Sequence, residues 1–177
     1  MADHHDNKKL ALTLANHLER DRRLDGWSPS GIGSSDYQTS KWVSDILSFS
    51  LPKAVPRDLH EIFGRAQAVM VYGCYHYPLF TLGVEELFRY YESLLRHVLG
   101  PDGIDKNGQS LHFASLIERA VKKQLISSDD VASWQAGRQL RNSTTHNESV
   151  ILLGPNDAVN ALHRAQHRTE TFYVAEY

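Results

Sequence analysis

A chain of 177 residues, 41% hydrophobic and 23% charged, is long enough to bury a core as one domain with room for an extension. Its net charge of −2 excludes a protein that holds duplex DNA through a broad basic face, so any nucleic-acid site must be small and focused. The single cysteine, Cys74, excludes an intramolecular disulfide and fits a reducing compartment.

The chain opens on Met-Ala-Asp-His-His-Asp-Asn-Lys-Lys, without the apolar run of a signal peptide, and no later run reaches membrane-spanning length. A cytoplasmic protein with no membrane contact is expected, and in that setting the N-x-[ST] matches at Asn142 and Asn147 carry no meaning. Residues 8–23 place Ala11, Leu14, Ala15 and Leu18 on one helical stripe. A loop rich in Gly and Ser follows at 26–35. Its Gly31-Ile32-Gly33 lacks the Gly-Lys-Ser/Thr ending of a phosphate-binding loop, so no nucleoside triphosphate is expected there; no cofactor is expected elsewhere. Residues 39–49 offer Trp42, Val43, Ile46 and Leu47 as a second short amphipathic helix. Pro52 and Pro56 then punctuate the chain, which divides it into an N-terminal helical extension, 1–55, and a main bundle, 56–177.

Pro56 and Asp58 suit the first turn of a helix whose apolar face runs through Leu59, Ile62, Phe63, Ala66, Met70, Gly73 and Cys74. On that face Cys74 reads as a buried small hydrophobe. Tyr75-His76-Tyr77-Pro78 breaks the helix, because proline disfavours helical geometry in the residue before it. A long helix over 79–99 buries Val84, Leu87, Phe88, Tyr91, Leu94, Leu95 and Val98, with Glu85–Arg89 and Glu92–Arg96 as i,i+4 pairs on its other side. So short a break between two helices predicts an antiparallel hairpin. Its tyrosines and Phe80 read as packing or dimer surface before they read as a base-stacking platform. A further helix covers 110–125, and another begins at Asp129 and frays after Asn142, where Ser-Thr-Thr forms helix poorly. Residues 150–153 suit a short extended piece. The last helix starts at Pro155, with Ala158, Leu162, Ala165, Thr169 and Phe172 on its stripe. The fold class is an all-α, up-and-down bundle of four to five core helices carrying the N-terminal extension.

One pair of residues draws attention on this framework. Arg141 and His146 stand five apart, a fixed cation that can fork onto phosphate and a group that exchanges protons near neutral pH. With 12 Arg and 10 His in the chain, about two arginines followed by a histidine at any of three spacings arise by chance, so the pair's worth depends on its setting. Val131, Trp134, Arg138 and Arg141 share one helix face, which aims both arginines at packed protein or a cleft. Equally, Arg138 and Arg141 could pair with carboxylates of neighbouring helices and brace the bundle, with His146 bonding the last carbonyls. His163 and His167, an i,i+4 pair beside Arg164 and Arg168, lack a third metal ligand and read as a solvated face, so no metal is expected.

Tyr75-His76-Tyr77-Pro78-Leu79-Phe80, leading into Glu85-Glu86-Leu87-Phe88-Arg89-Tyr90-Tyr91-Glu92-Ser93-Leu94-Leu95-Arg96, resembles the second helix of HEPN domains, the higher eukaryote and prokaryote nucleotide-binding family. Arg141-Asn142-x-x-x-His146 resembles the R-x4–6-H motif of that family, including the polar residue after the arginine. The resemblance spans residues 57–173. It implies a metal-independent endoribonuclease of toxin or phage-defence type, acting on RNA as a homodimer in which two motifs meet in one cleft. It further implies His146 as general acid or base, Arg141 as the phosphate clamp, Asn142 as an orienting group, and Glu92 as a positioning partner for Arg141 unless it is only a surface pair with Arg96. Arg138 would support the same site, and an antitoxin or other protein partner is implied. The alternative is a non-catalytic HEPN-like module that binds a protein or a nucleotide. No basic patch surrounds the motif, since 131–177 holds four Arg against four acidic residues.

Overall fold

The computed structural model describes residues 12–24, 35–145 and 152–173. Among these the architecture is an all-α bundle: α1 (Ser35–Ser48), α2 (Arg57–Val71), α3 (Leu79–Leu99), α4 (Phe113–Lys122), α5 (Val131–Thr145) and α6 (Pro155–Tyr173). Three short 3-10 turns, at Arg22–Leu24, Tyr72–Cys74 and Gly100–Gly103, join or precede them. The described residues form no strand beyond an isolated bridge between Ile104 and Ser110, and Leu152 and Leu153 have no regular structure.

Helix α3 is the axis of the bundle. It packs most extensively on α2, then on α6, α4 and α5. Its apolar positions fill more than one stripe, because Tyr90 and Leu99 are buried along with Val84, Leu87, Phe88, Tyr91, Leu94 and Leu95. A helix apolar over so much of its girth must be covered from several sides. Phe63 on α2 meets Tyr90 edge-on at 5.7 Å between centroids, while Trp134 on α5 meets Tyr91 at 5.3 Å. From α6, Thr169 shares a hydroxyl–hydroxyl bond with Tyr90 and donates its own proton to the Ala165 carbonyl. Tyr90 is therefore the donor between them. Where α2 and α3 cross, Gly83 lies against Met70 so closely that a side chain there would overlap it. The i,i+4 pair expected between Glu85 and Arg89 is displaced by one residue: Glu86 takes Arg89, at 3.3 Å, and Arg65 from α2, at 2.7 Å. Glu86 faces the α2 groove, so a single carboxylate serves both helices.

The described residues before α2 share the core of this bundle. Trp42 and Ile46 on α1 are buried, and the Trp42 indole donates to the Met70 carbonyl. The buried Gln67 amide answers from α2 with bonds to the carbonyls of Ile46 and Phe49, so the end of α1 is fastened by side chain rather than by sheet or disulfide. Leu47, expected on the apolar stripe, is 58% exposed. The helix expected over 8–23 is absent from its described part: residues 12–24 form turns and a 3-10 turn, with Leu14 and Leu18 in solvent. Thr13 and Asn16 exchange side-chain and backbone bonds, a local alternative that competes with helix. Asp21 then anchors the segment to the hairpin. Its amide donates to the Cys74 carbonyl and its carboxylate accepts from the Tyr77 amide and from Arg23.

Candidate functional site

The fold brings together two residues that the sequence holds far apart. Glu92, one residue past the Tyr91 that packs on Trp134, projects from α3 toward α5. Its Oε1 accepts from Arg96 Nη2 at 2.6 Å, and its Oε2 lies 3.1 Å from Arg141 Nη1. The carboxylate is only 16% exposed, whereas both arginine side chains retain 37% of their surface. Arg96 and Arg141 share this one carboxylate, and the cluster stands between α3 and α5 with its arginines reaching solvent. Arg96 also donates to the Leu111 carbonyl just ahead of α4. Its Nε is buried without a hydrogen-bond partner among the described residues.

Arg141 does turn inward, as its share of the Trp134 face requires, and Glu92 serves it and Arg96 together rather than Arg96 alone. Arg138, one turn earlier, does not reach across to α3. Its Nε donates to Gln135 along the same helix, at 2.8 Å. Helix α5 does not fray after Asn142 but runs on through Thr145, so Ser143 and Thr144 are helical despite their poor propensity. The side chain of Asn142 and all of His146 lie outside the described residues.

One further placement departs from the expectation. Arg168, expected on a solvated face with His163 and His167, is half-buried: its guanidinium stands 4.2 Å from the Trp134 ring centroid and 4.9 Å from that of Tyr91. Its spacing carried the signal, since Ala161, Ala165, Arg168 and Phe172 repeat at helical intervals beside the apolar stripe. Arg164, His163 and His167 are exposed as expected. Among the described residues, no three His, Cys, Asp or Glu side chains come close enough to hold a metal ion. Cys74 is buried against the Val71 carbonyl, and that burial pushes its thiol up to about 11, the behaviour of a packed side chain. None of the described helices is long and apolar enough to cross a membrane.

Comparison with models of known protein families, with curated proteins and with solved structures gives no match.

Proposed function

We propose that this chain is a metal-independent endoribonuclease of the HEPN type, working as a homodimer in a toxin or defence role. The observation that carries the reading is the Glu92–Arg141 contact between α3 and α5, at 3.1 Å. A carboxylate in contact with one Nη of the guanidinium restrains the side chain, which is what a phosphate clamp needs before substrate arrives. RNA supplies its own nucleophile. His146 takes the proton of the 2′-hydroxyl as the 2′-oxygen bonds to phosphorus; the bond from phosphorus to the 5′-oxygen breaks, and the leaving oxygen receives a proton from the His146 of a second copy. Arg141 stabilises the charge that builds on the phosphorane oxygens. The products are a 2′,3′-cyclic phosphate and a 5′-hydroxyl.

The test is incubation of the purified full chain with RNA in chelator, beside Arg141→Lys and His146→Ala. Cleavage by the wild type, lost in His146→Ala and strongly reduced in Arg141→Lys, is the expected result. No cleavage, or cleavage that survives both substitutions, overturns it.

A second reading, a non-catalytic module that binds a protein partner or a nucleotide, draws on the same ion pair. A guanidinium paired with Glu92 can serve as a brace between α3 and α5 and nothing more. On that reading Arg141→Lys changes stability and leaves no activity to lose.

A further inference from the structure

The groove between α5 and α6 holds a cation that the ribonuclease reading does not use. Arg168 is stacked on Trp134 and Tyr91, and its Nη2 donates to the Ser133 hydroxyl at 2.8 Å. Among the described residues no carboxylate forms an ion pair with it. Asp130, the one acid lining the groove, is engaged by the Ser127 hydroxyl and acts on Arg168 only from a distance. Burial accordingly lowers the guanidinium from its ordinary value, yet it stays charged. Holding a desolvated cation without an adjacent anion costs free energy, and a cation so placed in a groove is a candidate contact for an anionic ligand.

Its surroundings suit an anion. Arg164 stands one turn before Arg168, and His167 lies beside both. Ser133, Arg164 and Arg168 together line two adjoining hollows, of about 140 and 230 Å³. Each exceeds the ~30 Å³ share of a water molecule severalfold. The larger hollow runs along α5 through Gly137 to Leu140, the residue before Arg141. Ser133 and Arg141 are eight residues apart, so the two cationic sites lie about 12 Å from one another along α5, a distance that a short run of nucleotides covers.

We propose that Arg168, Arg164 and the Ser133 hydroxyl form a phosphate subsite that holds the backbone of single-stranded RNA, next to the site at Arg141. This rests on the ribonuclease reading and supplies the substrate affinity that a neutral chain otherwise lacks. Trp134 and Tyr91 fix the Arg168 fork, Arg164 supplies a second and exposed cation, and Trp134 itself is too buried to stack on a base. Recognition is therefore of phosphate and insensitive to base identity.

The test uses a fluorescent 2′-O-methyl oligoribonucleotide, which cannot be cleaved because its nucleophile is blocked. Binding is read by anisotropy over a range of salt, with the wild type, Arg164→Gln, Arg164→Glu, Arg168→Gln and, as a control, the exposed α2 variant Arg57→Gln. Arg164→Gln is expected to weaken binding roughly fivefold and to reduce the salt slope by about 0.7, the loss of one single-strand phosphate contact. Arg164→Glu should weaken binding further, and Arg57→Gln should match the wild type. Arg168 is packed, so its variant counts only if its melting curve is cooperative; Arg164 is exposed and carries the test alone if it does not. No binding by the wild type, or Arg164 variants that keep both affinity and salt slope, overturns the subsite. Cleavage is measured separately on ordinary RNA: binding without cleavage refutes the enzyme and spares the subsite, and cleavage with Arg164-independent binding does the reverse.

Discussion

Glu92 reaches across from α3 to hold Arg141 on α5 while it also takes Arg96 one turn along its own helix. Replacing Glu92 by Gln removes the charge and keeps the shape, so it separates positioning from packing. If the proposed ribonuclease activity holds, Glu92→Gln is expected to lower kcat more than KM in RNA cleavage, because a loosened fork is felt most in the transition state. A double-mutant cycle of Glu92→Gln with Arg141→Gln should give a coupling of about 0.5–1 kcal/mol in urea denaturation, a modest value because Arg141 is more than a third exposed. Strict additivity would show that the contact does not operate in solution.

The Tyr90–Thr169 pair makes an asymmetric prediction. The Thr169 proton goes to the Ala165 carbonyl, so Tyr90 donates and Thr169 accepts. Tyr90→Phe deletes the donor and orphans only one of the two Thr169 lone pairs, at a cost of about 1 kcal/mol. Thr169→Val leaves a buried phenol with no acceptor and should cost about 1–3 kcal/mol. Equal losses in denaturant melts, or the reverse order, would contradict the donor assignment.

Two helical glycines should respond in opposite directions. A Cβ at Gly83 would land on Met70 at the α2–α3 crossing, and Gly83→Ala is expected to destabilise by about 1–3 kcal/mol. At Gly64, in the middle of α2, a Cβ meets nothing within 4 Å. Gly64→Ala should therefore stabilise by about 0.5–1 kcal/mol through backbone entropy alone. Calorimetric melting of both variants decides it.

Asp21 sets a limit on acid stability. Burial pushes its carboxyl up, but the bonds from Arg23 and from the Tyr77 and Arg23 amides outweigh it and hold the group below the usual carboxylate range. A depressed folded-state value means a stabilising contribution that is complete above about pH 4 and is lost as pH falls through the folded value. Wild-type stability should fall below about pH 4 more steeply than that of Asp21→Asn, which lacks the linkage and is less stable at neutral pH by about 1–3 kcal/mol. Parallel acid profiles for the two proteins would rule out the anchoring role.

Much of the fold was legible in the sequence where a single physical signal governs. Helix α3 has the expected limits because the Tyr75–Pro78 break precedes it and Gly100, at φ 53°, ends it. Helix α6 begins at the expected proline for the same kind of reason. Where local and tertiary preferences compete, the reading failed. Residues 8–23 carry a helical stripe, yet no neighbouring element covers Leu14 or Leu18, and the Thr13–Asn16 bonds prevail over residues 13–16. Ser143 to Thr145 resist helix intrinsically, yet α5 carries on through them. At the candidate site, helical periodicity turned Arg141 inward, but only the resemblance suggested Glu92 as its partner. Periodicity gives the face of a residue and not the helix that face will meet. Arg168 packs inward despite its charge, because its spacing matches the buried side of α6 and the rings of Trp134 and Tyr91 receive its guanidinium.

The three adjacent residues Tyr90, Tyr91 and Glu92 each address a different neighbour: the α6 hydroxyl of Thr169, the α5 indole of Trp134, and the α5 guanidinium of Arg141. One turn of α3 thus works as a key cut for a single lock. Inserting one residue just before Tyr90 would rotate everything beyond it by ~100° and misalign all three engagements at once. Insertions and deletions should be tolerated in the 104–110 loop and rejected within this one turn.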